Sequence, residues 1–140
     1  NLTSVFDLSK GLTSKILSSK HGSIVNIGST YGVVGPNYSL YENTDMGNPA
    51  AYAASKGGLV QLTRWLATTL GPEIRVNTIS PGGIFREQSK EFVRRYEERT
   101  PLKRMASEED FKGAIAFLSS DLSSYVTGQN ILVDGGWTIW

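Results

Sequence analysis

Three short runs rich in β-branched residues alternate along the chain with long stretches of helical periodicity. The runs cover residues 23–28, 74–79 and 130–134, and the two longest helical patterns cover residues 2–19 and 50–70. Buried strands that alternate with helices of this length are typical of right-handed βαβ crossovers and a parallel sheet. Since 140 residues suffice for one domain with one core, the sequence predicts a single α/β domain.

Turn-forming residues set the predicted limits of these elements. Gly22 ends the first helix, and Gly71-Pro72 ends the second. Repeated Gly, Pro and Asn residues between positions 30 and 49 predict a loop that joins the first strand to the second helix.

Two further helices are predicted in the second half of the chain. Residues 87–99 are highly charged and carry Phe92 and Tyr96 four positions apart, which favours a short surface helix. Ser107 with Asp110 three residues later resembles a capping box, which predicts that a third long helix begins there.

Composition excludes several classes of function. Fourteen basic and thirteen acidic residues leave a net charge of +1, which argues against a nucleic-acid surface and a polybasic membrane anchor. The chain has no cysteine and only one histidine, His21, so we expect neither disulfides nor a metal site. No apolar run approaches the ~20 residues of a membrane span, and we expect a cytoplasmic location.

The first residues already follow an amphipathic helical pattern. The chain opens with Asn1 rather than methionine, and no N-cap residue precedes the pattern. We therefore expect a fragment that begins in the middle of a helix.

Candidate chemistry collects at the predicted carboxyl ends of the strands, where open parallel sheets bind their ligands. Ser29 follows the first strand and Pro81 follows the second, while Tyr52 and Lys56 lie one turn apart at the start of the second helix. A nearby ammonium group favours the phenolate form of a tyrosine, so Tyr52 is a candidate proton donor and acceptor. Taken singly, Tyr52 is as well explained by helix packing, and Ser29 by a turn.

The ordered set of motifs is more specific than its parts. Asn-Ile-Gly-Ser at 26–29, Tyr-x-x-x-Lys at 52–56, Arg-Val-Asn-x-x-x-Pro-Gly-Gly at 75–83 and a Val-Asp-Gly-Gly ending at 133–136 follow one another. This order resembles the carboxyl-terminal half of classical short-chain dehydrogenases/reductases. The resemblance implies that residues 1–140 form the carboxyl-terminal part of a Rossmann-like, doubly wound parallel sheet whose nucleotide-binding half lies upstream.

The resemblance also implies an activity and a role for each matching residue. The family transfers a hydride between NAD or NADP and a small-molecule substrate, interconverting a hydroxyl and a carbonyl. In this sequence, Tyr52 would be the acid/base and Ser29 would orient the substrate carbonyl. Lys56 would favour the Tyr52 phenolate and bind the nicotinamide ribose. Asn1 would hold a water molecule, and the cofactor's nicotinamide would contact Tyr52, Lys56, Pro81, Gly82, Gly83 and Ile84.

The sequence departs from the family pattern in three places. The glycine-rich dinucleotide loop is absent from residues 1–140, so we expect this chain alone to be inactive. Arg86 stands where the family often has a threonine that contacts the cofactor amide. The segment between Ser29 and Tyr52 is longer than usual, and we expect it to border the substrate site. This segment is similar to the corresponding segment of reductases of nonulosonic-acid and surface-glycan biosynthesis, which suggests a sugar-type substrate.

Two other functions remain open at this level. An extended-type sugar-nucleotide epimerase or dehydratase also uses Tyr-x-x-x-Lys, although the compact ending after residue 133 favours the classical type. A non-catalytic fragment could act only as an oligomerisation module. Arg94, Arg95 or Arg99 could meet an anionic group of a sugar acid or nucleotide sugar, or simply form a solvated helical face.

Self-association is the one macromolecular interaction that we expect. The helix over residues 50–70 carries small residues that allow close helix approach, and Trp137 and Trp140 after the last strand predict apolar surface there. Members of the family pair through these two regions, so the resemblance implies a homodimer or homotetramer.

Overall fold

The computed structural model describes all of residues 1–140 and contains one three-stranded sheet. The strands are β1 (Gly22–Ile27), β2 (Ile74–Pro81) and β3 (Asn130–Val133), and β2 lies between the other two. Both pairs are parallel, with Gly22 opposite Ile74 and Thr78 opposite Asn130. These pairings confirm the predicted α/β fold with a parallel sheet.

The chain forms four α-helices: α1 (Thr3–Leu17), α2 (Ala50–Leu70), α3 (Lys90–Arg99) and α4 (Lys112–Ser119). Helices α1, α2 and α4 pack on the strands and cover both faces of the sheet. Leu66 of α2 packs on Ile74 and Val76 of β2, whereas Leu118 of α4 packs on Ile79 from the other side. Alternate residues of β2 thus serve two separate cores, because successive side chains of a strand point to opposite faces. No helix combines the length and apolarity needed to span a bilayer.

The limits of α2 match the prediction, and those of the other three helices do not. The charged helix α3 begins at Lys90 rather than at residue 87, because Glu87 adopts a left-handed φ of 57° that a right-handed helix excludes. Ser89 instead caps α3 by accepting the Phe92 N–H at 3.3 Å. The first helix ends at Leu17, two positions before the predicted limit.

The capping box at Ser107 is present, but it opens a different element from the one predicted. The Asp110 carboxylate accepts the Ser107 N–H at 2.7 Å. A single 3₁₀ turn, Glu108–Phe111, follows before α4, so no long helix begins here. The predicted loop over residues 30–49 likewise holds two short 3₁₀ turns, Thr30–Gly32 and Tyr38–Leu40.

Candidate active site

A cleft of about 360 Å³ opens where β1 and β2 end and α2 begins. Ser29, Tyr52 and the turn after β2 contribute to its lining, although they are far apart in the sequence. Fourteen residues line it: Ser29, Thr30, Tyr31, Tyr41, Gly47, Asn48, Pro49, Tyr52, Pro81, Gly82, Gly83, Phe92, Tyr96 and Trp137. The fold therefore brings most of the sequence-predicted site residues to one cavity.

Ser29 is buried at the carboxyl end of β1 and has a structural role there. Its Oγ accepts the N–H of Tyr31 at 3.2 Å and so caps the Thr30–Gly32 turn. The hydroxyl group keeps its own proton for donation, because this bond uses only an acceptor lone pair. Ser29 can therefore hold the turn and donate a hydrogen bond into the cleft at the same time.

Tyr52 and Lys56 lie on adjacent turns of α2, as the sequence predicts. The Lys56 ammonium nitrogen is 5.8 Å from the centroid of the Tyr52 ring and donates to the carbonyl oxygen of Ile27 at 2.7 Å. The carbonyl bond ties the start of α2 to the end of β1. Gly32 permits the close packing on which this depends, since a Cβ there would lie 2.8 Å from the Lys56 backbone.

Asn1 lies against α2, outside the cleft lining. Its Nδ2 donates to the Ser55 Oγ at 3.5 Å, and that hydroxyl donates to the carbonyl oxygen of Tyr52 at 2.8 Å. A chain of hydrogen bonds therefore joins Asn1 to the backbone, not the phenol, of Tyr52.

The turn after β2 offers one free amide. The Gly82 N–H donates to the carbonyl oxygen of Val133 at 3.0 Å, and the Gly83 N–H donates to the Tyr96 hydroxyl at 2.6 Å. The Ile84 N–H has no hydrogen-bond partner, while the Ile84 carbonyl accepts from Gln88 at 2.9 Å. Ile84 lies just beyond the cleft lining, and its N–H is the group that remains available to an amide ligand.

Five aromatic side chains form one side of the cleft, and we call them the aromatic wall: Tyr31, Tyr41, Phe92, Tyr96 and Trp137. Tyr31 and Tyr41 belong to the segment that was expected to border the substrate site, whereas the sequence did not assign the other three to the site. Tyr96 stacks on Trp137 with centroids 5.7 Å apart, and Tyr41 packs on Phe92 at 5.6 Å. Burial raises the pKa of Tyr96 to about 12. Burial also raises the pKa of Tyr31, and its hydrogen bond with Tyr41 adds to that effect.

The predicted surface role of Trp137 is wrong. Trp137 is only 7% exposed and packs into the wall, whereas Trp140 is 70% exposed. The Asp134 carboxylate fixes this geometry by accepting the N–H groups of Gly136 at 2.9 Å and Thr138 at 3.0 Å. For Phe92 and Tyr96, the four-residue spacing was the only sequence signal, because it indicated one apolar face on an otherwise charged helix.

Two of the three arginines of α3 pair with carboxylates, whereas Arg99 has no ion pair and does not line the cleft. Arg94 pairs with Glu91 at 2.8 Å and with Glu98 at 2.5 Å. Arg95 pairs with Glu91 at 3.0 Å and also donates to the backbone of Glu42 at 2.7 Å. Neither arginine lines the cleft, so this arrangement favours the solvated helical face over an anion-binding site.

The amino-acid sequence is similar to one family model and to several known proteins along most of its length. The family model described as enoyl-(acyl carrier protein) reductase matches residues 1–138. The post-translational flagellin modification protein A of Campylobacter coli is 42% identical over 118 residues, which cover 84% of this chain and 46% of that protein. The 3-oxoacyl-[acyl-carrier-protein] reductase of Thermotoga maritima is 37% identical over 144 residues, covering 99% of this chain and 54% of that protein.

A solved structure gives the same picture. A short chain dehydrogenase from Leptospira borgpetersenii, crystallised with bound NAD⁺, is 44% identical and has a TM-score of 0.87. The match covers 98% of this chain and 53% of that one. The chain therefore spans about half the length of the proteins it matches.

Proposed function

Because this chain belongs to the short-chain dehydrogenase/reductase family, we propose that it is the carboxyl-terminal half of an NAD- or NADP-dependent oxidoreductase that interconverts a hydroxyl and a carbonyl. The observation that carries the proposal is the shared cleft of Ser29, Tyr52 and Pro81 beside the Lys56 ammonium group. The upstream half would supply the phosphate-binding loop, in keeping with relatives about twice as long.

Tyr52 is the acid/base in this proposal. During oxidation its phenolate takes the proton of the substrate hydroxyl, and during reduction its phenol returns that proton to the carbonyl oxygen. The Lys56 ammonium group favours the phenolate through its positive charge. The Ser29 hydroxyl donates a hydrogen bond to the same substrate oxygen and fixes its direction. A bound nicotinamide cofactor would supply the hydride-transfer chemistry.

The turn after β2 suits the nicotinamide end of the cofactor. Pro81, Gly82 and Gly83 line the cleft next to Tyr52, and the unpartnered N–H of Ile84 can donate to a carboxamide oxygen. Lys56 has ammonium protons beyond the one given to Ile27, and these can bind a ribose hydroxyl. Asn1 would orient a water molecule beside α2 and so connect Lys56 with solvent.

We also propose a sugar-type substrate. The support is the 42% identity to a flagellin modification protein and the position of the long segment after Ser29, whose Tyr41 and Asn48 border the cleft. The 37% identity to a 3-oxoacyl-[acyl-carrier-protein] reductase makes an acyl thioester the competing substrate.

The experiment that tests this function measures cofactor binding and turnover in the intact protein. We expect it to bind NAD(H) or NADP(H) and to oxidise a sugar hydroxyl. Lys56→Ala should weaken cofactor binding by about tenfold or more and also lower turnover, because a charged hydrogen-bond donor is lost. Lys10→Ala, an exposed position on α1, is the matched control and should change neither. Equal behaviour of the two variants would contradict the proposal.

A further inference from the structure

The aromatic wall has a buried base and a partly exposed rim. Phe92, Tyr96 and Trp137 are each at most 7% exposed and form one apolar cluster with Leu40. Tyr31 and Tyr41 are half-buried and pack against that cluster from the cleft side. A ligand in the cleft therefore meets the rim tyrosines on one side and Tyr52 on another, with apolar ring surface behind them.

The cleft carries more hydrogen-bond donors than its own residues use. Tyr31 and Tyr41 share one bond, with hydroxyl oxygens 2.5 Å apart, so one of their two protons is free. The Tyr96 hydroxyl accepts from Gly83 and has no acceptor for its own proton. The Trp137 Nε1 and the Asn48 Nδ2 are buried without any partner. Unpaired donors are costly, and the oxygen atoms of a ligand can reach the free proton of the half-buried Tyr31–Tyr41 pair.

The side of the cleft that the aromatic wall forms is unfavourable to a negative charge. All fourteen lining residues are uncharged, and the nearest arginines on α3 already pair with Glu91 and Glu98. The burial that raises the pKa values of Tyr31 and Tyr96 disfavours any anion placed beside them. The Lys56 ammonium group lies behind Tyr52, 5.8 Å from its ring centroid. A carboxylate or phosphate bound against the aromatic wall would therefore lose water without gaining a cation of its own.

The size of the cleft limits the ligand further. It encloses about 360 Å³, near the lower end of the range of about 300–1,000 Å³ that is usual for small-molecule sites. A nicotinamide against Pro81, Gly82 and Gly83 would take part of this space, so only the remainder beside the aromatic wall is left for a substrate. The segment that carries Leu40 and Tyr41 is held against α3. Leu40 is fully buried against Phe92 and Tyr96, and the carbonyl oxygen of Glu42 accepts a hydrogen bond from Arg95. This geometry suits a compact ring better than an extended chain.

We propose that the cleft selects an uncharged, hydroxylated ring of about the size of a monosaccharide, and that the Tyr31–Tyr41 hydroxyl pair is a specificity determinant for it. The rings of the wall cover the C–H face of the ligand, and the surplus donors bind its oxygen atoms. Sugar acids and acyl thioesters are disfavoured by charge and by length. This inference rests on the proposed function and narrows its substrate class.

The test uses the intact protein and three kinds of probe: methyl glycosides of common hexoses, gluconate, and an acetoacetyl thioester with reduced cofactor. We expect kcat/KM for at least one methyl glycoside to exceed the values for gluconate and the thioester by about tenfold or more. Tyr41→Phe, which removes one hydroxyl and keeps the ring, should raise KM for that glycoside about threefold to tenfold. Its kcat and the cofactor Kd should stay close to the wild-type values.

The control variant is Tyr38→Phe, because Tyr38 lies in the same segment, is 67% exposed and does not line the cleft. It should leave KM unchanged. A preference for gluconate or the thioester would overturn the inference, and so would equal KM values in the Tyr41→Phe and Tyr38→Phe variants. Cofactor binding without turnover of any methyl glycoside would overturn this inference alone. Failure to bind either cofactor would overturn the proposed function as well.

Discussion

Tyr96 connects the turn after β2 with Trp137, the first through its hydroxyl group and the second through its ring. It accepts the Gly83 N–H at 2.6 Å beside the cleft, and its ring stacks on Trp137. Since a tyrosine in water has a pKa of about 10, a folded-state value of about 12 means that folding favours the neutral phenol. The contribution of Tyr96 to stability is therefore complete below about pH 10 and disappears as the pH rises towards about 12.

Replacement of Tyr96 by phenylalanine tests this link. Tyr96→Phe should be less stable than wild type near neutral pH, because Gly83 loses its hydrogen-bond acceptor. The difference in the free energy of unfolding between the two proteins should shrink by about 2 kcal/mol between about pH 9 and about pH 12. Over this range the Tyr96 phenol of the unfolded wild type loses its proton more readily than that of the folded wild type, whereas phenylalanine has no proton to lose. Urea unfolding of both proteins measures it, with Tyr38→Phe as the exposed control. A difference that stays constant with pH would contradict the raised pKa.

The sequence was sufficient to identify some site residues and not others. Tyr52 and Lys56 could be paired because helical spacing fixes which side chains share a face, and Ser29 could be placed because parallel strands end at one edge. Trp137 could not be placed in the same way. Its direction depends on the turn before it, where Gly135 and Gly136 take positive φ values of 65° and 87° and Asp134 holds the backbone. The periodicity of apolar residues, which predicts helices and strands, does not predict the backbone conformation of such a turn.

At the scale of elements, a buried polar network joins the helix that carries Tyr52 to the sheet. The Asn26 Nδ2 of β1 donates to the Thr63 Oγ1 of α2 at 2.8 Å, and that hydroxyl shares a bond with the Thr78 Oγ1 of β2 at 2.7 Å. All three residues are at most 5% exposed. These bonds join α2 to both strands that end at the cleft, so they set the position of Tyr52 relative to Ser29.

Thr63→Val should therefore be strongly destabilising. Valine has nearly the shape of threonine, but it leaves the Asn26 amide and the Thr78 hydroxyl without their shared partner. Each buried polar group that loses its partner lowers the free energy of unfolding by about 1–3 kcal/mol. Thr68→Val is the matched control, because Thr68 is exposed on the same helix and bonds only to the Trp65 carbonyl oxygen. We expect the control to change stability by about 0.5 kcal/mol or less. Equal effects on the denaturation midpoint would contradict the network.

Helix limits were predictable where turn chemistry decides them. Gly71-Pro72 stops α2, and both ends of that helix agree with the sequence prediction. The start of α3 was not predictable, because the left-handed conformation of Glu87 depends on its surroundings rather than on its residue type. The long segment after Ser29 is anchored by Leu40, which is buried against Phe92 and Met105. This tertiary contact could not be predicted, because local propensity does not encode it.

At the scale of the whole molecule, an apolar groove between α1 and α2 is a candidate contact between copies of the chain. Leu2, Phe6, Leu62 and Trp65 line it, and Trp65 is 52% exposed. We predict that the intact protein is a two-fold symmetric homo-oligomer at micromolar concentration. Trp65→Glu should shift it towards the monomer, because a buried charge without a partner is costly.

Light scattering of the wild type and two variants checks this prediction. Tyr125→Glu is the control, since Tyr125 is fully exposed and lies away from the groove. We expect the wild type and Tyr125→Glu to give the mass of a dimer or tetramer. A monomeric wild type would be inconsistent with self-association, and an unchanged Trp65→Glu oligomer would exclude this groove as the contact.

The central claim is that Tyr52 carries the proton in a cofactor-dependent oxidation or reduction. The most direct measurement compares kcat and cofactor Kd in the purified intact protein and its Tyr52→Phe variant. Removal of one hydroxyl should lower kcat by about 10²–10⁴-fold, because no other group in the cleft is paired with a lysine, while the cofactor Kd changes by about twofold at most. Near-normal turnover in Tyr52→Phe would show that the proton moves through another group, and it would contradict the account.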